Sequence, residues 1–367
     1  MSFVRSRPRC RLLWAAAIPV LALSGGAVAA ERAAERACVA HAERQDDAKA
    51  WLDIAGQLAS GARLPCRGQL QGRFIGREYP SEPYSPANPQ LIMGAARQAL
   101  ALTWSPSVRA KAFRLLVDAN KPKLVPCSPK EEAERVSCPV QEGDPSAWWG
   151  YRSLFIAESG KAPESPDALA KTNEAATTVA GWVTPGTTSS ESCTPSKDNR
   201  PAVDDRPTDA SGHCGKYGYR LCPAKPDSTW VHVAYTPCEG DKLQKTEFAD
   251  QNGDGVDEAF VWIKYDTFDG ADVSGSQTHL YVVDGRSGSI LLHGLVAATK
   301  SESSDKGQVR LKVSRTSPGR LTLTVSVKAS PDTERWIRKN SSLLLAPGTY
   351  LLGDAGFHRA DTERPTR

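Results

Sequence analysis

Apolar residues recur at helical spacing in the first half of the chain. Trp51, Ile54, Ala55 and Leu58 would share one face of a helix. Further on, a capping residue is repeatedly followed by proline, a combination typical of the first turn of a helix. These pairs are Asn88-Pro89, Ser105-Pro106, Ser128-Pro129, Asp144-Pro145 and Ser165-Pro166. The pattern predicts an all-α domain of short helices over residues 31–183.

An aromatic cluster lies within this helical region, at Trp148, Trp149, Tyr151 and Phe155. Such a cluster either forms a platform for a ligand or packs in the core. Aromatic residues on a helix are large apolar groups whose burial is strongly favourable, so the core is the favoured interpretation.

The hydrophobic period changes to two from Thr229 onward. Val309, Leu311 and Val313 alternate with polar residues, and residues 321–327 alternate in the same way. The turn sequence Ser317-Pro318-Gly319 lies between these runs, so they predict a hairpin with one face exposed to water. The other strand-like runs are 230–235, 259–265, 279–284, 290–295 and 342–346. Residues 229–360 are therefore predicted to form an antiparallel β domain.

Residues 184–228 separate the two halves and are rich in Ser, Thr, Pro, Asp and Gly. A segment of this composition carries too few apolar side chains to build its own core. Because Cys193 and Cys214 lie within it, we expect a linker or a long loop held by disulfides. The predicted fold class is α+β, with an N-terminal helical domain, a disulfide-pinned linker and an antiparallel β domain.

The first 30 residues have the pattern of a cleavable signal peptide. Four arginines precede an apolar run at 12–23, and the small residues Val28-Ala29-Ala30 follow. The run of about a dozen residues is shorter than the ~20 that a spanning helix needs. We therefore expect cleavage after Ala30, no stable membrane anchor and a periplasmic or secreted protein.

Cleavage would also change the charge of the protein. The full chain has a formal net charge of +4, and loss of the four arginines would bring the mature chain close to zero. Nucleic-acid binding requires clustered Lys and Arg, so the charge argues against a nucleic-acid partner.

Eight of the nine cysteines lie beyond the signal segment. An even number of cysteines in an exported chain predicts disulfides. Zinc is the alternative, but no Cys-x-x-Cys pair occurs. Short spacing favours Cys127–Cys138, and the others are expected to pair in sequence order. These other cysteines are Cys38, Cys66, Cys193, Cys214, Cys222 and Cys238.

The segment Asp250–Glu258 has the composition of a calcium loop. Calcium takes about six to eight oxygen ligands, and Asp250, Asn252 and Asp254 place side-chain oxygens at alternate positions. The intervening glycines allow the chain to wrap around one point. The Val256 carbonyl and the Glu258 carboxylate would complete the ligand set. The alternative is an acidic hairpin turn that binds no metal.

An EF-hand does not fit this segment, because the twelfth position counted from Asp250 is Val261, within a predicted strand. The segment resembles the calcium loop of FG-GAP or integrin-type β repeats, which lies between two strands. The likeness covers residues 245–295, where a second strand–turn–strand sequence surrounds Asp284-Gly285 and Gly288. It implies that Ca²⁺ is held by Asp250, Asn252, Asp254, Val256 and Glu258.

No catalytic motif stands out in the sequence. There is no His-Glu-x-x-His, no Gly-x-Ser-x-Gly and no phosphate-binding loop. His232 and His279 could meet across a sheet, and Asp266, Asp269 and Asp272 could bind a second ion, although structural and solvated roles are favoured. The leading hypothesis is a binding or inhibitor (immunity-like) module that presents loops to an extracytoplasmic protein or glycan. The alternative is a hydrolase with its site at the junction of the α and β domains.

Overall fold

The structure is a computed structural model. It describes residues 47–61, 64, 70, 89–125, 140–142, 145–165, 167–172, 188–196, 200–204, 219–233, 242–268, 274–302 and 305–360. The predicted signal peptide lies outside the described residues. Within these ranges, no helix is long and apolar enough to cross a membrane.

Helices dominate the first half, as the sequence predicts. They are α1 (Ala48–Ala59), α2 (Pro89–Leu102), α3 (Pro106–Asn120) and α4 (Pro145–Ser159). Two short strands, β1 (Lys123–Val125) and β2 (Val140–Glu142), pair antiparallel. Three of these helices begin at a proline that the sequence marks as a first-turn residue. Of the aromatic cluster, Trp148 and Tyr151 are buried, in agreement with a core role.

Four short strands between positions 188 and 232 form a small antiparallel sheet. Its strands are β3 (Thr188–Ser192), β4 (Ala202–Asp204), β5 (Arg220–Cys222) and β6 (Thr229–His232), in the order β3-β6-β5-β4. A disulfide joins Cys193 to Cys222, which confirms that the segment between the two halves is pinned by a disulfide.

The expectation that cysteines pair in sequence order is wrong for Cys193, because that order would join it to Cys214. Strand pairing places the end of β3 and the end of β5 on either side of β6, and this brings Cys193 to Cys222. The remaining cysteines lie outside the described residues.

The second half is an eight-stranded antiparallel meander in the order β14 to β7. Its strands are β7 (Lys242–Ala249), β8 (Glu258–Phe268), β9 (Ser274–Val283), β10 (Ile290–Ser301), β11 (Lys306–Ser317), β12 (Arg320–Lys328), β13 (Gly348–Gly353) and β14 (Gly356–Arg359). The predicted hairpin is confirmed, since Leu311 pairs with Val325 and Val313 with Leu323. The α+β fold class is therefore correct.

One predicted strand in this half is wrong, and one helix was not predicted. Residues 342–346 form no strand and contribute only an isolated bridge between Leu344 and Leu295. Before them lies α5 (Pro331–Asn340), which begins after Ser330 with the same capping-proline signal. The Ser330 hydroxyl accepts a hydrogen bond from the Thr333 amide at 3.2 Å.

The large sheet is buried on both faces in its central strands. Along β8, Phe260 and Trp262 belong to a core shared with the helices, whereas Val261 and Ile263 belong to a second core shared with the small sheet. This follows from the period of two along a strand. The division into separate domains at 31–183 and 229–360 stays a prediction, and the described helices and sheet share one continuous core.

A buried charge cluster, formed by Arg109, Glu158 and Arg359, joins the helices to the sheet. The Arg109 Nε donates to Glu158 Oε1 at 2.5 Å, and Arg359 Nη1 donates to Glu158 Oε2 at 3.2 Å. Arg109 also donates to the Leu344 carbonyl at 2.7 Å. All three side chains are almost completely buried. A cation from α3, an anion from α4 and a cation from β14 thus meet in the interior.

Candidate metal centre

The loop Asp250–Glu258 connects two paired strands, β7 and β8. The strands remain in register up to the pair Ala249 and Glu258, so the loop forms the end of a hairpin. Gly253 and Gly255 have φ values of 77° and 80°, in the left-handed region that glycine adopts without a steric penalty. Val261 lies within β8, consistent with the exclusion of an EF-hand.

The polar side chains of the loop are oriented by its own backbone. Asp250 Oδ1 accepts from the Gly253 amide at 2.7 Å, and its Oδ2 accepts from the Gly255 amide at 3.0 Å. Asn252 Oδ1 accepts from the Asp254 amide at 2.9 Å. Asp254 Oδ1 in turn accepts from the Val256 amide at 2.8 Å. The three side chains are therefore fixed over the turn, and their oxygens keep lone pairs that a hard cation can use.

Glu258 closes the loop and is a buried carboxylate that its hydrogen bonds satisfy only in part. Its side chain is 0% exposed. One carboxylate oxygen, Oε2, accepts from the Gln251 amide, whereas Oε1 is buried without a hydrogen-bond partner. Burial raises the pKa of Glu258 to about 7, and the carboxylates of Asp284 and Asp250 add to the rise. A buried carboxylate of this kind requires either a proton or a cation.

A second turn, which follows β9, lies against the loop. Asn252 Nδ2 donates to Asp284 Oδ2 at 3.4 Å, and Arg286 Nε donates to Asp254 Oδ2 at 2.8 Å. Asp284 also accepts from the Arg286 and Ser287 amides. A Cβ on Gly285 would lie 2.0 Å from the Asp257 carbonyl oxygen. From the sequence this turn is expected to be part of a second strand–turn–strand, but its contacts with Asn252 and Asp254 are not predicted.

The donor set fits calcium in its chemistry, but not as a preformed cage. Among the described residues, no three carboxylate, imidazole or thiol side chains lie together as a metal cluster. Calcium would therefore also require the Asn252 amide oxygen and the Val256 carbonyl, which are hard oxygen ligands. A bound calcium ion would compete with the Arg286 guanidinium for the Asp254 carboxylate. Asp257 points elsewhere and accepts from Arg200 Nε at 2.8 Å.

The acidic residues at the end of β8 and beyond it give no second site in the described part of the chain. Asp266 forms an ion pair with Lys264 at 2.8 Å, and Asp269 and Asp272 lie outside the described residues. Asp266 is therefore partly exposed to solvent and forms an ion pair.

The histidine contact differs from the one considered from sequence. His279 Nδ1 lies 2.9 Å from His293 Nε2, and the Tyr281 ring stacks on His293 with centroids 4.1 Å apart. His232 lies in β6 of the small sheet instead. Burial lowers the pKa of His279 to about 3, and burial together with His279 lowers the pKa of His293 well below its usual value. Sequence spacing alone does not show that residues 279 and 293 meet, because register and the bulges of β10 decide it.

The helix–sheet junction bears on the hydrolase hypothesis. A cavity between α4 and the strands β9 and β10 is lined by Ser153, Tyr281 and His293, and its volume is about 10 Å³. The Ser153 hydroxyl accepts from the His293 backbone amide at 2.7 Å, so it is held by the backbone and not by the imidazole. The hydrolase hypothesis stays a prediction.

Comparison with protein-family models, with curated proteins and with solved structures gives no match for this chain.

Proposed function

We propose that this chain is an exported calcium-binding protein that acts as a binding or inhibitor module. In this proposal Asp250, Asn252, Asp254, the Val256 carbonyl and Glu258 hold one Ca²⁺. The ion fixes the end of the β7–β8 hairpin, and the β domain then presents its loops to an extracytoplasmic protein or glycan. The likeness to FG-GAP loops supports the same ligand set.

The observation that carries the proposal is the buried Glu258 carboxylate, whose Oε1 has no hydrogen-bond partner. Its other oxygen binds the loop backbone at Gln251, so the carboxylate faces the loop. The electrostatic effect of Asp250 and Asp284 on Glu258 places further negative charge nearby. A divalent cation would relieve both the desolvation and the repulsion of these groups.

The disulfide between Cys193 and Cys222 supports the exported location, because disulfides persist in oxidising compartments outside the cytoplasm. The signal-like pattern of residues 1–30 supports the same compartment.

Calcium titration of the purified chain, by calorimetry and thermal unfolding, tests the proposal. Extracellular calcium modules bind with dissociation constants of about 0.1–1 mM, and a hundredfold excess over that constant would add about 2.7 kcal/mol to the free energy of unfolding. We expect Asp254→Ala to abolish this response. Asp257→Ala is the matched control, since it removes the same charge from a side chain that binds Arg200 instead.

A further variant separates metal binding from the ion pair of Asp254. Arg286→Gln removes the guanidinium but keeps all proposed ligands, so calcium should bind with equal or higher affinity. If Arg286→Gln loses the response as Asp254→Ala does, Asp254 acts through its ion pair and the calcium proposal is wrong. Absence of calcium binding by the wild type at millimolar concentrations would overturn it as well.

A further inference from the structure

A polar groove of about 670 Å³ crosses the large sheet at the end of β7 remote from the calcium loop. It is lined by residues of five adjacent strands, β7 to β11. Four of the lining side chains are cations, Lys245, Lys264, Arg310 and Lys312, and none of the described residues that line the groove is acidic. The volume lies within the ~300–1,000 Å³ typical of sites for small ligands.

Two of these cations are compensated by acids next to the groove, and two are not. Lys245 pairs with Glu247 at 2.8 Å, and Lys264 pairs with Asp266 at 2.8 Å. Arg310 and Lys312 are exposed on β11, and no carboxylate of the described residues pairs with either. The groove therefore has a surplus of positive charge, concentrated at β11.

The remaining lining is suited to a ligand rich in hydroxyl groups. Thr278, Ser276 and Thr299 contribute hydroxyls, and two glutamines contribute amides. The Ser276 and Thr299 hydroxyls are 3.1 Å apart, and the Thr299 hydroxyl also accepts from the Ser276 amide and donates to the Ser276 carbonyl. Thr299 is therefore engaged, whereas the Ser276 hydroxyl keeps acceptor capacity for a ligand. Trp262 forms a floor that is 7% exposed, with the Lys245 ammonium 3.9 Å from its ring centroid. The groove thus offers charges and hydrogen bonds beside an apolar part of its lining, to which Trp262, Val296, Ala297, Leu311 and Val313 contribute.

Of the strands that line the groove, only β7 is an edge strand, and a peptide added to it would lie beside the groove and not across it. The strands β8, β9 and β10 are each paired on both sides within the sheet, so their backbone groups are already used. Peptides that add a strand require a free sheet edge. Recognition in the groove must rely on side chains, which favours a polar, anionic ligand over a peptide.

We propose that this groove binds an acidic oligosaccharide. In this assignment, carboxylate or sulfate groups pair with Arg310 and Lys312, and sugar hydroxyls bond to the threonine, serine and glutamine side chains. An arginine can bind such planar or trigonal anions through two parallel hydrogen bonds. The assignment narrows the binding role proposed above, on which it rests, but it does not depend on the calcium loop.

Calorimetry on the full chain at low salt tests the proposal with four defined probes. They are tetragalacturonate, a heparin-derived sulfated tetrasaccharide, neutral maltotetraose and hexaglutamate. We expect one or both acidic saccharides to bind and the neutral one not to bind, with affinity that falls as salt is added. The two acidic probes distinguish carboxylate from sulfate recognition.

The double variant Arg310→Gln/Lys312→Gln should weaken binding of the acidic saccharide about five- to thirtyfold, as expected for two partly shielded ion pairs. Arg320→Gln/Lys328→Gln is the matched control, because it removes the same charge from exposed positions on β12 outside the groove. Equal losses in the two double variants, tighter binding of hexaglutamate, or no binding of either acidic saccharide would overturn the proposal. A calcium titration of the same samples separates the outcomes, since calcium binding without saccharide binding removes only the groove assignment.

Discussion

Glu258 and the histidine pair show how burial changes the acid–base behaviour of single residues in opposite ways. The raised pKa of Glu258 means that the folded, calcium-free protein holds a proton more tightly than the unfolded chain. Its contribution to stability therefore falls as pH rises from about 4.5 toward 7. A bound cation would remove this dependence, because it takes the place of the proton. The composition of the loop predicts the ligands, but it does not show that Glu258 is the buried member.

The pair His279 and His293 is expected to make the protein sensitive to acid. Both are neutral in the fold, whereas the unfolded chain takes up protons below a pKa of about 6.5. Their stabilising contribution is thus present above pH 6.5 and is lost as pH falls toward 3. For His279 alone, the loss at pH 5 is about 2 kcal/mol.

Urea unfolding at pH 7 and pH 5 measures this loss. The comparison of wild type with His279→Gln cancels the opposite contribution of Glu258, which both proteins share. We expect the variant to lose less stability between the two pH values than the wild type does. Equal losses in the two proteins would show that the pair does not titrate as its burial implies.

At the scale of elements, helix starts and strand alternation are the features that local sequence predicts well. The prolines at 89, 106 and 145 begin helices as expected, since a helix start depends on a few adjacent residues. Ser330-Pro331 is the same kind of helix start, but the runs around it alternate with a period of two and favour strands, so the sequence does not predict α5. Residues 342–346 have strand-like composition, but they pack on β10 through one bridge and not as a sheet strand.

Features that depend on strand pairing could not be predicted from local pattern. The groove cations come from three separate strands, so the near-zero net charge expected for the mature chain hides their clustering. The partner of Cys193 likewise follows from the order β3-β6-β5 and not from spacing. The proposed calcium ligands depend less on strand pairing, because they lie within nine consecutive residues.

The turn after β9 lies against the loop Asp250–Glu258, and this contact leaves no room for a side chain at Gly285. A Cβ there would meet the Asp257 carbonyl oxygen at 2.0 Å and the Val256 side chain at 3.0 Å, so the turns must separate in Gly285→Ala. We expect a loss of about 1–3 kcal/mol in the free energy of unfolding and weaker calcium binding. Chemical unfolding and calcium titration measure the two effects.

Gly56→Ala in α1 is the control for this variant, because nothing lies within 4 Å of its added Cβ. Alanine also favours a helix interior by roughly 0.5–1 kcal/mol over glycine. This variant should be as stable as the wild type or more so, with unchanged calcium binding. A Gly285→Ala protein that behaves like Gly56→Ala would contradict the contact between the turns.

At the scale of the whole molecule, the buried cluster of Arg109, Glu158 and Arg359 determines whether the two halves act together. Glu158→Gln would leave two buried arginines without a carboxylate, a change that costs about 3–5 kcal/mol in comparable buried pairs. Domains keep only about 5–15 kcal/mol of stability. We therefore expect Glu158→Gln to lower the melting temperature by a large amount. We also expect the helix and strand signals to change together in one unfolding transition.

Asp118→Asn is the matched surface change, since the ion pair of Asp118 with Arg114 is about half exposed. It should alter stability by less than about 1 kcal/mol. Circular dichroism and tryptophan fluorescence, recorded on the same samples, follow the helices and the mixed core. Two separate transitions in the wild type would instead support independently folding α and β domains.

The buried cluster also bears on the order in which the chain can fold during synthesis. The Glu158–Arg359 bond spans 201 positions and the Arg109–Leu344 bond spans 235. Arg109 and Glu158 are only 49 positions apart, so this pair can form early, but it gains its remaining partners only after residues 344 and 359 have been made. Until then part of the cluster lacks its partners, and incompletely folded chains of this kind are prone to aggregate. If the chain is exported as proposed above, this late completion would favour an unfolded chain during transport.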